Sequence, residues 1–177
     1  MDTLRTNETA IPARPASDTI GRVAVVSGSQ ATVELTGRPL SGENPTVGKF
    51  MGLMAGKSVS IGLITEVGEQ AFAAAGGGSN FRKAARLDLI GEIKPGDGGV
   101  ERFQRGVTDY PNIGDSAVIL GERKLRLIYG AADADRGHVG DLQQNTSIGV
   151  HIDIDQLVSR HFAILGATGV GKSSGVA

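Results

Sequence analysis

The chain has 177 residues, 40% of them apolar and 21% charged, the balance of a globular protein with room for one domain and the edge of a second. A formal net charge of −1 excludes a global basic field for nucleic acid. The absence of cysteine excludes disulfides and thiolate metal sites, and no apolar stretch has the length of a membrane span or the form of a signal peptide, so the default compartment is the cytoplasm.

Residues 1–18 are polar, carry two prolines and show neither helical nor strand periodicity, which predicts a disordered tail. Arg22–Val26 and Ala31–Leu35 are β-rich runs around Ser27-Gly28-Ser29-Gln30 and predict a hairpin. Gly37–Gly48 reads as a loop, and Ser58–Val67 as a strand. Ala74–Asn80, with three consecutive glycines, reads as a flexible loop tip. In Ala85–Ile93 the polar Arg86, Asp88 and Glu92 share one parity and Leu87, Leu89 and Ile93 the other, predicting one wet face and one buried face. Further strands are expected at Val100–Phe103 and Ser116–Leu120, and a short helix at Glu122–Tyr129 ending at Gly130.

Short strands, little helix and 27 scattered glycines, about twice the usual frequency, predict a small closed β-barrel over 19–130. A linker and entry strand follow over 131–160. Within it Ala131–Gly140 is rich in Asp and Gly, Ser147–Ile152 reads as a strand, and Asp153 reads as the cap of one helical turn.

The most specific feature comes last. Gly166-Ala167-Thr168-Gly169-Val170-Gly171-Lys172-Ser173 fits G-x-x-x-x-G-K-[ST], the phosphate-binding P-loop or Walker A motif. Its glycines let successive backbone N–H groups curl around the phosphates of ATP. Lys172 is the catalytic candidate, with its ammonium on the β- and γ-phosphates, and the Ser173 hydroxyl is the Mg²⁺ ligand. The nucleotide-binding set is Gly166, Ala167, Thr168, Gly169, Val170, Gly171, Lys172, Ser173 and Ser174. The apolar run Phe162–Leu165 supplies the buried strand that the motif requires before it. Residues 161–177 then read as the start of an ATPase domain cut after its P-loop, so this chain alone is expected not to turn over ATP.

Several other residues carry a sharp and a plain reading. His161 suits a packed or hydrogen-bonded role, and His138 and His151 lack partners at ligand spacing. Asp153 and Asp155 resemble a catalytic carboxylate pair, but their place at a helix start favours capping. Arg123, Lys124 and Arg126 fit a solvated helix face better than a phosphate-backbone contact, and Arg82, Lys83 and Arg86 invite the same restraint. Aromatic residues are few, which gives weak support to a single-strand-binding barrel.

The order of these pieces resembles the HerA-type ATPases of the HerA–FtsK superfamily, whose N-terminal module is the HAS barrel. The residues that carry it are Ile20–Val23 and Val26–Gln30, Asp88–Ile93, Phe103–Val107, His138–Leu142, Val150–Asp153 and Arg160–Ser173. The resemblance implies a RecA-like α/β ATPase domain after the barrel. It implies a homo-hexameric, ATP- and Mg²⁺-dependent DNA translocase or helicase with double-stranded DNA in its central channel and no membrane role. It also implies a NurA-like nuclease or other effector on the barrel end, in DNA end repair or phage defence. The Gly37–Gly48 and Ala74–Lys83 loops are the expected docking places, the second through Arg82 and Lys83. Two alternatives stay open: a docking and assembly module only, or a rotary ATP-synthase-type subunit.

Overall fold

The computed structural model describes residues 19–37, 44–73, 79–130 and 136–159. The protein is mainly β. Strands β1 (Thr19–Ser27), β2 (Gln30–Leu35), β3 (Phe50–Ala55), β4 (Ser58–Ala73), β5 (Ser79–Pro95), β6 (Glu101–Arg105) and β7 (Ser116–Ile119) form one sheet. Its order is β2-β1-β7-β3-β4-β5-β6, and a further β2–β5 pairing closes six of the strands into a barrel, with β6 outside on β5. Closure leaves those six strands without an open edge where they pair. The helix α1 (Glu122–Tyr129) follows, then the hairpin β8 (Arg136–Leu142) and β9 (Asn145–Asp153), and the short helix α2 (Ile154–Val158).

Most local expectations agree with these elements. The β1–β2 hairpin turns at Gly28, whose φ of 58° is a conformation that favours glycine. The predicted helix is α1, with Gly130 at its C-terminal cap donating to the Arg126 carbonyl. Three features differ. β3 went unread, because Phe50-Met51-Gly52-Leu53-Met54-Ala55 has no β-branched residue and takes strand form through its neighbours β4 and β7. Residues 136–140, expected in the linker, belong to β8. β4 and β5 are longer than expected, and Ser79 and Asn80 pair as strand residues.

Two cores use opposite faces of the sheet. The interior holds Ile20, Val23, Val33, Met51, Leu53, Ile64 and Leu87. The outer face of β3, β4 and β5 carries Phe50, Val59, Ile61 and Ile93, covered by Leu125 of α1 and Ile148 of β9. The switch lies in β5. Leu89 pairs with Gly62 but Gly91 pairs with Ile61, so Ile90 is an extra residue and the side-chain parity inverts there. Leu87 therefore packs inside and Ile93 outside. Gly91 sits where a Cβ would stand 2.4 Å from the Gln104 carbonyl oxygen and 2.6 Å from the Phe103 ring.

The same inversion corrects the expectation for Glu92, which is fully buried instead of wet. Its carboxylate accepts from Thr108 Oγ1 at 2.8 Å, from the Thr108 and Asp109 backbone N–H groups at 3.3 and 3.2 Å, and from Lys94 Nζ at 3.0 Å. Burial alone raises its pKa, but the Lys94 ammonium and these donors outweigh it and pull the carboxyl down to about 2. The segment 106–115 is thereby fastened to the barrel.

Candidate functional site

The sequence-predicted nucleotide site, Gly166 to Ser174, lies outside the described residues, as do Arg160 and His161. The structure describes what leads to it. β9 runs from Asn145 to Asp153 and passes directly into α2, whose last residue is Val158. Asp153 Oδ1 accepts from the Gln156 backbone N–H at 2.9 Å, and Oδ2 accepts from Gln156 Nε2 at 3.0 Å. The carboxylate is thus an N-cap, as its position predicts, and Asp155 lies in the first turn, where a negative charge faces the positive helix end.

The lead-in elements are fastened to the outer wall of the barrel. The Gln144 side chain bridges two strands: its Oε1 accepts from the Phe50 backbone N–H at 2.7 Å, and its Nε2 donates to the Leu120 carbonyl at 3.1 Å. Arg126 donates to Glu122 from Nε and Nη2 and reaches the Ser147 carbonyl, tying α1 to β9. The Arg126 guanidinium, with a smaller contribution from Ser147, holds the Glu122 carboxyl below its ordinary range. Arg123 pairs with Glu101 at 2.7 Å. Arg123 and Arg126 of the basic cluster are thus exposed on α1, in line with a solvated face, and also engaged in intramolecular pairs.

Between this wall and the lead-in elements runs a groove of about 1000 Å³. Ile90 and Phe103 of the barrel wall, Ile128 and Tyr129 of α1, and Val150, Ile152 and Leu157 of the lead-in line it, together with Arg105, Arg136, His151 and Asp153. Phe50 and Tyr129 pack with tilted rings, 5.7 Å between centroids and 55° between planes. Burial pushes the Tyr129 phenol above its usual range while Arg105 acts the other way. Sequence periodicity does not reveal this groove, because its sides come from elements that meet only through the sheet.

His138 and His151 are register partners on β8 and β9, with rings 5.3 Å apart. His138 Nε2 lies 3.1 Å from Asp141 Oδ1, and His151 Nδ1 lies 3.2 Å from the Gly149 carbonyl oxygen. The twelve residues between them hid this pairing, which needs the hairpin register. Among the described residues no group of three or more His, Cys, Asp or Glu is placed to hold a metal ion. No helix among them is long and apolar enough to cross a membrane.

Residues 137–177 match the family model of the HerA helicase central domain. The chain is also similar to the DNA double-strand break repair helicase HerA of Pyrococcus furiosus, with 43% identity over 53 residues. That stretch is 30% of this chain and 9% of the archaeal protein, so the chain spans only a small part of its relative's length. The family-model match covers β8 from Gly137, β9, α2 and the P-loop, and the barrel lies outside it.

Proposed function

We propose that this chain, a HerA-type ATPase sequence in its C-terminal part, contributes the barrel and the P-loop to an ATP-driven DNA translocase or helicase. The observation that carries this reading is a complete P-loop inside the stretch that matches the HerA central domain. Residues 1–18 form a tail, 19–130 the barrel, 131–160 the lead-in and 161–177 the opening of the ATPase domain. The donor set fits ATP–Mg²⁺. Backbone N–H groups of Gly166–Gly171 cradle an anion, Lys172 sets its charge against the terminal phosphates, the Ser173 hydroxyl supplies a hard oxygen donor for Mg²⁺, and Ser174 completes the nucleotide-binding set. Bound ATP supplies the phosphoryl group whose transfer to water drives movement. Lys172 holds that group in place and offsets its developing charge, while Ser173 orients the metal.

The assembly in this reading is a homo-hexamer around double-stranded DNA, with a nuclease or other effector on the barrel end, acting in DNA end processing or phage defence. The match over 137–177 favours it over a rotary ATP-synthase-type subunit. In the longer protein that carries this chain, Lys172→Ala removes charge-assisted bonds worth about 1.5–3 kcal/mol each. DNA-stimulated ATPase activity is expected to collapse while the β-dominated circular dichroism persists. Undiminished hydrolysis in that variant overturns the assignment. Absence of DNA-stimulated hydrolysis in the unaltered longer protein favours a docking and assembly role instead.

A further inference from the structure

β4 and β5 remain paired as far as Ala73 and Ser79, well beyond the barrel. β3 accompanies β4 only to the Phe50–Leu63 pair, and β2 accompanies β5 only from Ala84. Residues 66–73 and 79–83 therefore form a two-stranded arm with both edges open among the described residues. Two strands alone are marginal in water, so an arm of this kind calls for a partner surface.

The two faces of the arm differ. On one, Arg86 pairs with Glu66 at 2.8 Å, and Arg82 pairs with Glu34 of β2. Its cations are already matched. The other face carries Val67, Glu69 and Ala71 opposite Ala85, Lys83 and Phe81. Phe81 is 72% exposed and Val67 40%. Glu69 and Lys83 are register partners, yet no ion pair joins them or engages either among the described residues. The patch is two apolar register pairs with a carboxylate and an ammonium between them, both free among the described residues.

We infer that this face of the arm docks on the same face of a second copy of this chain, with Phe81 buried and Lys83 of each copy meeting Glu69 of the other. The charge pattern selects the occupant. A surface of one sign, such as nucleic acid or an acidic protein, gains from Lys83 and loses to Glu69. A second copy satisfies both charges and covers the apolar pairs at once. A contact of one face with itself is two-fold, so it lies outside the cyclic contacts of the proposed hexamer and joins copies of two rings. It is independent of the ATPase reading, since a Lys172→Ala chain presents the same patch.

The test is sedimentation velocity of the 177-residue chain over a range of concentrations, with Lys83→Glu, Glu69→Lys and Phe81→Ser variants whose fold is checked by far-UV circular dichroism. The wild-type chain is expected to self-associate, and each variant to need about tenfold or more higher concentration, the equivalent of about 1.4 kcal/mol. An equimolar mixture of Lys83→Glu and Glu69→Lys chains is then expected to recover wild-type association. In the mixture every contact between unlike chains is complementary, while the register pair within each chain stays like-charged. Mere loss of arm structure cannot produce that recovery. A wild-type chain that stays monomeric throughout, as an arm made for a foreign protein does, overturns the inference. So does a mixture that associates no better than its components, or a Phe81→Ser chain that associates as tightly as wild type.

Discussion

The two ends of the β4–β5 ribbon have the same backbone pairing and opposite surroundings. Inside the barrel, residues 58–64 and 84–93 have strands on both sides and a core against each face. Beyond it, residues 66–73 and 79–83 have only each other as strand neighbours among the described residues. Glu92 and Glu69 condense the contrast. One is a buried carboxylate held by four donors, the other an exposed carboxylate that has none among the described residues. Strand form therefore says little about stability, which depends on how many neighbours a strand has and what they cover.

Substitutions along the ribbon test this contrast. Leu87 is fully buried in the interior core, so Leu87→Ala is expected to cost about 2–5 kcal/mol in urea unfolding. A cost below 1 kcal/mol contradicts the two-core description. Glu92→Gln leaves buried donors without a carboxylate and is expected to cost about 1–3 kcal/mol at neutral pH. Its pH dependence is more telling. With a folded pKa of about 2 against an ordinary 4.5, Glu92 stabilises fully above pH 4.5 and loses that contribution as the pH falls toward 2. The Gln variant should show a flatter acid limb across that window, and an unchanged limb removes Glu92 from the account.

Gly91→Ala places a methyl carbon against the Gln104 carbonyl and the Phe103 ring and is expected to cost about 1–3 kcal/mol by displacing β6. Loss of amide protection confined to 101–105 in hydrogen exchange locates the damage. The smallest effect belongs to the arm. In the monomer, Phe81→Ala should change stability by less than about 0.5 kcal/mol, and the amides of 79–83 should exchange much faster than those of 84–93. Equal protection along β5 erases the distinction.

Local signals reached far in this chain. Hairpin β1–β2, helix α1 with its glycine cap, and Asp153 as an N-cap all follow from short-range residue preferences. The P-loop is legible because its four fixed positions, Gly166, Gly171, Lys172 and Ser173, each meet a chemical demand, though its geometry lies outside the described residues. What escaped depends on long-range pairing. Met51 and Leu53 look as suited to a helix as to a strand until β4 and β7 flank them. Alternation placed Glu92 on the wet face because nothing in the local pattern announces the extra residue at Ile90. The groove beside Tyr129 and the His138–His151 pair likewise require elements that the chain brings together only on folding.

The Gln144 bridge, which joins Phe50 and Leu120 through a single side chain, has a mechanical consequence. Together with Ile148 against the barrel wall and Arg126 reaching Ser147, it makes the lead-in hairpin a rigid bracket instead of a slack tether. A pull exerted at the end of α2 would pass through β9 into these contacts, and so load the barrel wall at Phe50 and Leu120.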